Sequence, residues 1–221
     1  MSRLIAFGCS NTFGLSLDGT KITDSPAKRA WPALVGAINY GVCGASNKEI
    51  MLNILEKNFK PKDIVIVLWT YTKTRTLIFT EKKIDTHLKH NNQGNQGYQL
   101  LIHKHKMFHE YMDSQTKQAA EAWYKWNVMR SQIDAMIDEY TYIKTANLHL
   151  QQHNIKVINL HCDDSYDQYT SPGKIPTNLY TKLHNVENLL VKNDRADDGL
   201  HPGPNAHKLL SEFVWKQIKL L

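Results

Sequence analysis

Asp63-Ile64-Val65-Ile66-Val67-Leu68-Trp69 sets six apolar residues, most of them β-branched, in an unbroken run behind one aspartate. A run this short and this continuous is expected of a strand covered on both faces, the situation of a central strand in a parallel sheet. Helices must then lie above and below it, which restricts the chain to the layered α/β architectures.

The neighbouring stretches agree with that frame. Leu4 to Phe7 is a second short apolar run, and it meets a Gly/Ser/Asn cluster. Between Ala27 and Ile38, the residues Ala30, Trp31, Leu34, Val35 and Ile38 recur at helical spacing with Pro32 in the first turn, which predicts the first helix. Ile38-Asn39-Tyr40-Gly41 reads as a strand. The loop Val42-Cys43-Gly44-Ala45 leads to a helix opened by Ser46 or Asn47 as N-cap, with Glu49 in its first turn and Ile50, Met51, Ile54 and Leu55 on its apolar face. A long helical stretch from about Ser114 to His153 is expected to contain a break, Lys156 to His161 to form a strand, and Pro204 to about Leu220 the last helix. The polar segment Lys89 to Gly97 is predicted to be an exposed loop, and residues 162–192 to be irregular. The expectation is one domain over residues 1–221, a three-layer α/β/α sandwich with a central parallel sheet, flavodoxin-like, with an insertion at about 84–126. Its ligand site lies beyond the carboxyl ends of the strands.

Composition narrows the classes. With 221 residues, 42% of them hydrophobic, the chain can bury one large core. The apolar start is too short for a secretory signal, no run approaches the roughly 18 residues of a membrane span, and a cytoplasmic location is expected. Three cysteines, Cys9, Cys43 and Cys162, are an odd number without metal-ligand spacing, which argues for a reducing compartment. The net charge of +6 is spread along the chain, with Lys57 to Lys62 and Glu81-Lys82-Lys83 reading as solvated runs, so no nucleic-acid partner is expected.

The chemistry concentrates at the two ends. Gly8-Cys9-Ser10-Asn11-Thr12-Phe13-Gly14 follows the first strand, and Asp198-Gly199-Leu200-His201-Pro202 precedes the last helix. A serine hydroxyl is a poor nucleophile until a base takes its proton and a third group orients that base. His201 and Asp198 supply those roles for Ser10. An oxyanion needs donors set in advance, for which the amides of Ser10 and of Gly44 are candidates. Cys9 is expected to point away from Ser10 as core filler. Asn47 reads as an N-cap or loop clamp, and Trp123 with Trp126 as core more readily than as a sugar platform. His103, His105 and His109 have spacings a metal could use but no matching carboxylates nearby, and His161 is expected to pack at the active edge.

This arrangement resembles the SGNH hydrolase family, the GDSL-like lipases and esterases, along nearly the whole chain. Residues 8–14 look like its serine block with Cys9 in place of the usual Asp, residues 39–47 like its glycine block, and residues 198–202 like its terminal Asp-x-x-His block. The resemblance implies that Ser10, His201 and Asp198 are catalytic and that Gly44 serves the oxyanion. It departs at the third block, where Trp69-Thr70-Tyr71-Thr72 stands in place of Gly-x-Asn-Asp, leaving Thr70, Thr72 or Arg75 to complete the oxyanion hole. Trp69 with Arg75 is similar to a variant found in phage and bacterial SGNH-like proteins. What the resemblance implies is a cofactor-independent, metal-free serine esterase acting on a small-molecule or glycan ester, with O-acetyl groups on carbohydrate favoured. The missing third-block Asn motivates the alternative, a weak or inactive binding or virion-associated protein of the same fold, and acyl transfer to a sugar acceptor is a third reading.

Overall fold

The computed structural model describes residues 2–21, 24–72, 75–80, 98–103, 114–163, 183–191 and 194–221. Five strands form an all-parallel sheet in the order β2-β1-β3-β6-β7, where β1 is Leu4–Gly8, β2 Ile38–Gly41, β3 Ile64–Trp69, β6 Lys156–His161 and β7 His184–Asn185. The apolar run of β3 is indeed interior to the sheet, paired on one side with β1 and on the other with β6.

Period-two alternation sorts the strand residues onto two cores. Ile5, Phe7, Val65, Val67 and Trp69 face α3 (Asn47–Leu55) and α5 (Gln132–Gln152), packing with Ile50, Ile54, Met136, Tyr140, Ile143 and Leu150. Ala6, Ile66, Leu68, Ile158 and Leu160 face α2 (Trp31–Leu34), α6 (Glu187–Val191) and α7 (Pro204–Ile218), meeting Trp31, Val35, Leu190, Leu210 and Val214. The result is a three-layer α/β/α sandwich. Arg3 grips the buried Asp63 carboxylate with two nitrogens at the opposite, amino edge, which joins the starts of β1 and β3.

The expected first helix is revised, whereas the expected break in the long helical stretch is found. The first helix is α1, Ser10–Phe13, a single turn following β1 directly. The helical spacing of Ala27 to Ile38 shrinks to the one turn of α2, because the chain before it is held by Phe13, whose carbonyl takes the Ala27 amide, and Gly36 at φ 71° ends it. The long helical stretch divides into α4, Ser114–Met129, and α5, with Ser131 accepting the Asp134 amide as the new N-cap. An antiparallel pair straddles the start of the expected insertion, β4 Arg75–Thr80 before it and β5 Tyr98–His103 within it. The predicted loop Lys89 to Gly97 lies outside the described residues. Within the stretch expected to be irregular, β7 and α6 are ordered elements that sequence reading missed. Among the described residues no helix is long and apolar enough to cross a membrane.

Candidate functional site

Ser10 is the first residue of α1 and is 7% exposed at the carboxyl edge of the sheet. Two glycines let that helix lie on the strand ends. A Cβ on Gly8 would meet Thr12 Oγ1 at 2.1 Å and the Leu68 carbonyl at 2.9 Å, and one on Gly41 would meet the Phe13 nitrogen at 2.5 Å. Gly14, left-handed at φ 83°, closes the turn by donating to the Ser10 carbonyl. Cys9 is the extended N-cap residue and is fully buried, as expected of core filler.

Asp198 and His201 form a pair whose order comes largely from backbone groups. Asp198 Oδ2 lies 2.5 Å from His201 Nδ1, while its Oδ1 accepts the amides of Leu200 and His201, each at 2.9 Å. Burial by itself would raise the Asp198 pKa, but those amides, the imidazole and the Ser16 hydroxyl together hold it well below the usual carboxylate range. The carboxylate is therefore ionised at neutral pH and fixes the His201 ring. With Nδ1 engaged, Nε2 is the nitrogen left for proton exchange.

The loop bearing this pair is pinned at both flanks. Its ends are bridged between Arg195 and Pro202, and the Ala196 amide donates to the His201 carbonyl at 2.9 Å. Asp194 caps α7 from outside the helix, its carboxylate taking the amides of Asn205 at 3.0 Å and Ala206 at 2.9 Å. The N-cap residue, Gly203, contributes no side chain, and a Cβ there would meet Asp194 Oδ2 at 2.6 Å. On the other side Asp197 docks on the chain leaving α1, accepting from Gly19 and donating its amide to the Ser16 carbonyl. Sequence reading missed Asp194, Asp197 and Ser16. The only available signal was an Asp density around His201, which says nothing about partners so far away in sequence.

Ser10 and the Asp198–His201 loop are thus on segments that touch. Among the described residues Ser10 hydrogen-bonds through its carbonyl and His201 through its backbone and Nδ1, with no bond joining the serine hydroxyl to the imidazole.

Gly44 adopts φ 82° in the loop after β2, and that loop is tied to β1 by the Val42 amide donating to the Gly8 carbonyl at 2.9 Å. Asn47 is a clamp. Its Oδ1 accepts the Thr70 amide at 2.7 Å, and its Nδ2 donates to the Thr70 carbonyl at 3.1 Å and to Glu139 at 2.7 Å. The helix N-cap is Ser46, which accepts the Glu49 amide. Thr70 is fully buried behind this clamp. Thr72 turns to Asp163, donating from both amide and hydroxyl, and its hydroxyl also accepts from Gln132. Arg75 begins β4, and its side chain lies outside the described residues.

Of the remaining candidates, His161 is fully buried with Nδ1 at the Asp163 carbonyl. His105 and His109 lie outside the described residues, and for His103 only its place in β5 is described. Among the described residues no group of three or more His, Cys, Asp or Glu is arranged to hold a metal ion. Trp123 and Trp126 are not core: Trp126 is 49% exposed, and both line a cleft with Ser46, Asn47 and Glu139. No family model, no curated protein and no solved structure matches this chain.

Proposed function

We propose that the chain is a serine esterase of the SGNH type, hydrolysing a carboxylic ester of a carbohydrate, with O-acetyl groups the favoured acyl unit. The observation that carries this reading is the Asp198–His201 pair, its carboxylate ionised and amide-gripped, on a loop docked on the segment that leaves the Ser10 helix. In the proposed reaction Ser10 Oγ attacks the ester carbonyl and its proton passes to His201 Nε2. The tetrahedral oxyanion takes hydrogen bonds from the Ser10 and Gly44 amides. Collapse breaks the bond to the alcohol, which leaves with the proton from His201. Water, deprotonated by the same imidazole, then releases the acid and restores Ser10. Asp198 stays ionised throughout and steadies the imidazolium. No cofactor enters this scheme.

A fluorophosphonate probe tests it. Labelling of the wild-type protein, absent in Ser10→Ala, together with hydrolysis of p-nitrophenyl acetate lost in the same variant, is the expected result. A folded wild-type protein that neither labels nor turns over the ester would end the esterase reading.

Two observations favour a second reading, a weak or inactive binding protein of the same fold. The Thr72 hydroxyl is committed to Asp163 and Gln132, so it does not replace the absent third-block amide. The Ser10 hydroxyl also lacks its hydrogen bond to His201. Loss of one oxyanion donor costs about 10² to 10³ in rate, so labelling with very slow turnover is the signature of this alternative.

A further inference from the structure

A small open cleft lies where the amino end of α3 meets α4 and α5. Trp126, 49% exposed in all, lines part of its wall, and the Arg130 guanidinium lies over that ring, 5.0 Å from its centroid. Trp123 and Tyr142 are half-buried in the same wall, and the buried Asn127 adds an amide. An exposed indole at the edge of a polar concavity offers a ligand one flat face to cover.

The chemistry of the wall selects the ligand. An acyl chain needs a wall poor in polar atoms, whereas here carboxyl, amide, guanidinium and phenol groups surround the indoles. Charge does not favour an ionic ligand, because the two cations, Lys48 in the wall and Arg130, are matched in number by Asp134 and Asp138, both paired with Arg130. Burial pushes the Glu139 carboxyl up to about 8, so at neutral pH its uncharged form dominates and both donates and accepts. Flat aromatic faces beside a dense, nearly neutral set of donors and acceptors match a pyranose, which offers a C–H face to stack and a rim of hydroxyls to bond.

We infer that this cleft binds a neutral sugar ring stacked on the Trp126 face that Arg130 does not cover, with Asn127 and Glu139 as hydroxyl partners. Its floor includes Ser46 and Asn47, which continue directly from the Gly44 loop. Resting on the esterase reading, the cleft is then the leaving-group subsite, holding the sugar whose ester reaches Ser10.

The test separates binding from turnover. Ser10→Ala protein is titrated with chitotriose, cellotriose, xylotriose and maltotriose at millimolar concentration, followed by tryptophan fluorescence and saturation-transfer NMR. At least one is expected to bind, with affinity reduced about fivefold by adding Trp126→Ala, the size of one lost aromatic contact, and recovered by Trp126→Phe. Circular dichroism checks the fold of each variant. No binding of any of the four, or binding indifferent to Trp126→Ala, overturns the inference. Wild-type turnover of p-nitrophenyl acetate without sugar binding would remove this subsite and leave the esterase. Sugar binding that depends on Trp126, without probe labelling, would keep the subsite and remove the esterase.

Discussion

The amide of Gly19 donates to Asp197 Oδ2 over 3.0 Å, joining residues 178 apart in sequence. This bond ties the loop that carries Asp198 and His201 to the chain that has just left the Ser10 helix. The two halves of the candidate site are therefore registered against each other by contact between loops, and the helices behind them serve as anchors.

Asp197→Ala should expose that dependence. The carboxylate touches no reacting atom, so its removal should leave the fold almost unchanged. Displacing His201 by a fraction of an ångström should lower kcat about tenfold or more, given that a 1 Å misplacement can cost 10²-fold. Ester turnover measured beside the urea midpoint distinguishes the two effects, and unchanged kcat would show that the docking bond is idle.

Asp194→Ala removes the cap of α7. A lost carboxylate cap at a helix N-terminus costs about 1 to 2 kcal/mol, and hydrogen exchange should accelerate first at the Asn205 and Ala206 amides that it holds. Exchange spread evenly along α7 would contradict a capping role.

His207 gives stability a pH dependence of definite sign. Its Nδ1 accepts the Trp31 amide at 3.1 Å, and burial pushes the imidazole down to about 4, the nearby His201 adding to the shift and Asp194 opposing it. In the unfolded chain the ring titrates near 6.5, so as pH falls below that value the unfolded state takes up a proton that the native state refuses. Stability should fall from pH 6.5 to about 4 and then level off, by a total of about 3 kcal/mol. Urea unfolding across this range should show a shallower slope in His207→Gln, and equal slopes would assign the effect elsewhere.

Glu139 acts in the opposite direction. Its carboxyl is held up to about 8 chiefly by burial, against the opposing hydrogen bond from Asn47, so between its ordinary value and 8 the native state keeps a proton that the unfolded chain has lost. Stability is lost as pH rises through that window. Glu139→Gln keeps an acceptor for Asn47 without the charge, and its stability relative to wild type should be greater at pH 9 than at pH 5. A constant difference between the two pH values would rule out the titration.

Gly8→Ala tests the close approach of α1 to β1. Its Cβ would collide with Thr12 and with the Leu68 carbonyl, and overpacking of this kind costs about 1 to 3 kcal/mol. Thr12→Ala in the same chain should restore part of the loss but not all, because the Leu68 carbonyl belongs to the sheet and cannot retreat. Wild-type stability in Gly8→Ala would mean that the helix moves freely.

The sheet was readable because its signal is local. The run Ile64 to Trp69 and the shorter Leu4 to Phe7 and Lys156 to His161 are recognisable without any knowledge of what covers them. The same holds for α3 and α7, whose capping or proline-marked starts at Ser46 and Pro204 lie where the residue types suggest. The region from Ala27 to Ile38 misled, since its apolar spacing reflects burial of Trp31 and Val35 by distant helices, and a single turn suffices to aim them. Trp123 and Trp126 were unreadable for the converse reason: helical spacing reports a shared face, and only the position of α3 decides whether that face is core or cleft. The roles of Asn47 and Thr72 depend on Glu139, Asp163 and Gln132, partners too remote in sequence for any local pattern to name.

The three thiols, all buried, follow the ends of three different strands at the one edge: Cys9 after β1, Cys43 after β2 and Cys162 after β6. A buried thiol is shielded from alkylation until the chain around it opens. The protein thus carries three internal clocks placed around the candidate site, and the order in which they are modified under native conditions records which wall of it breathes first.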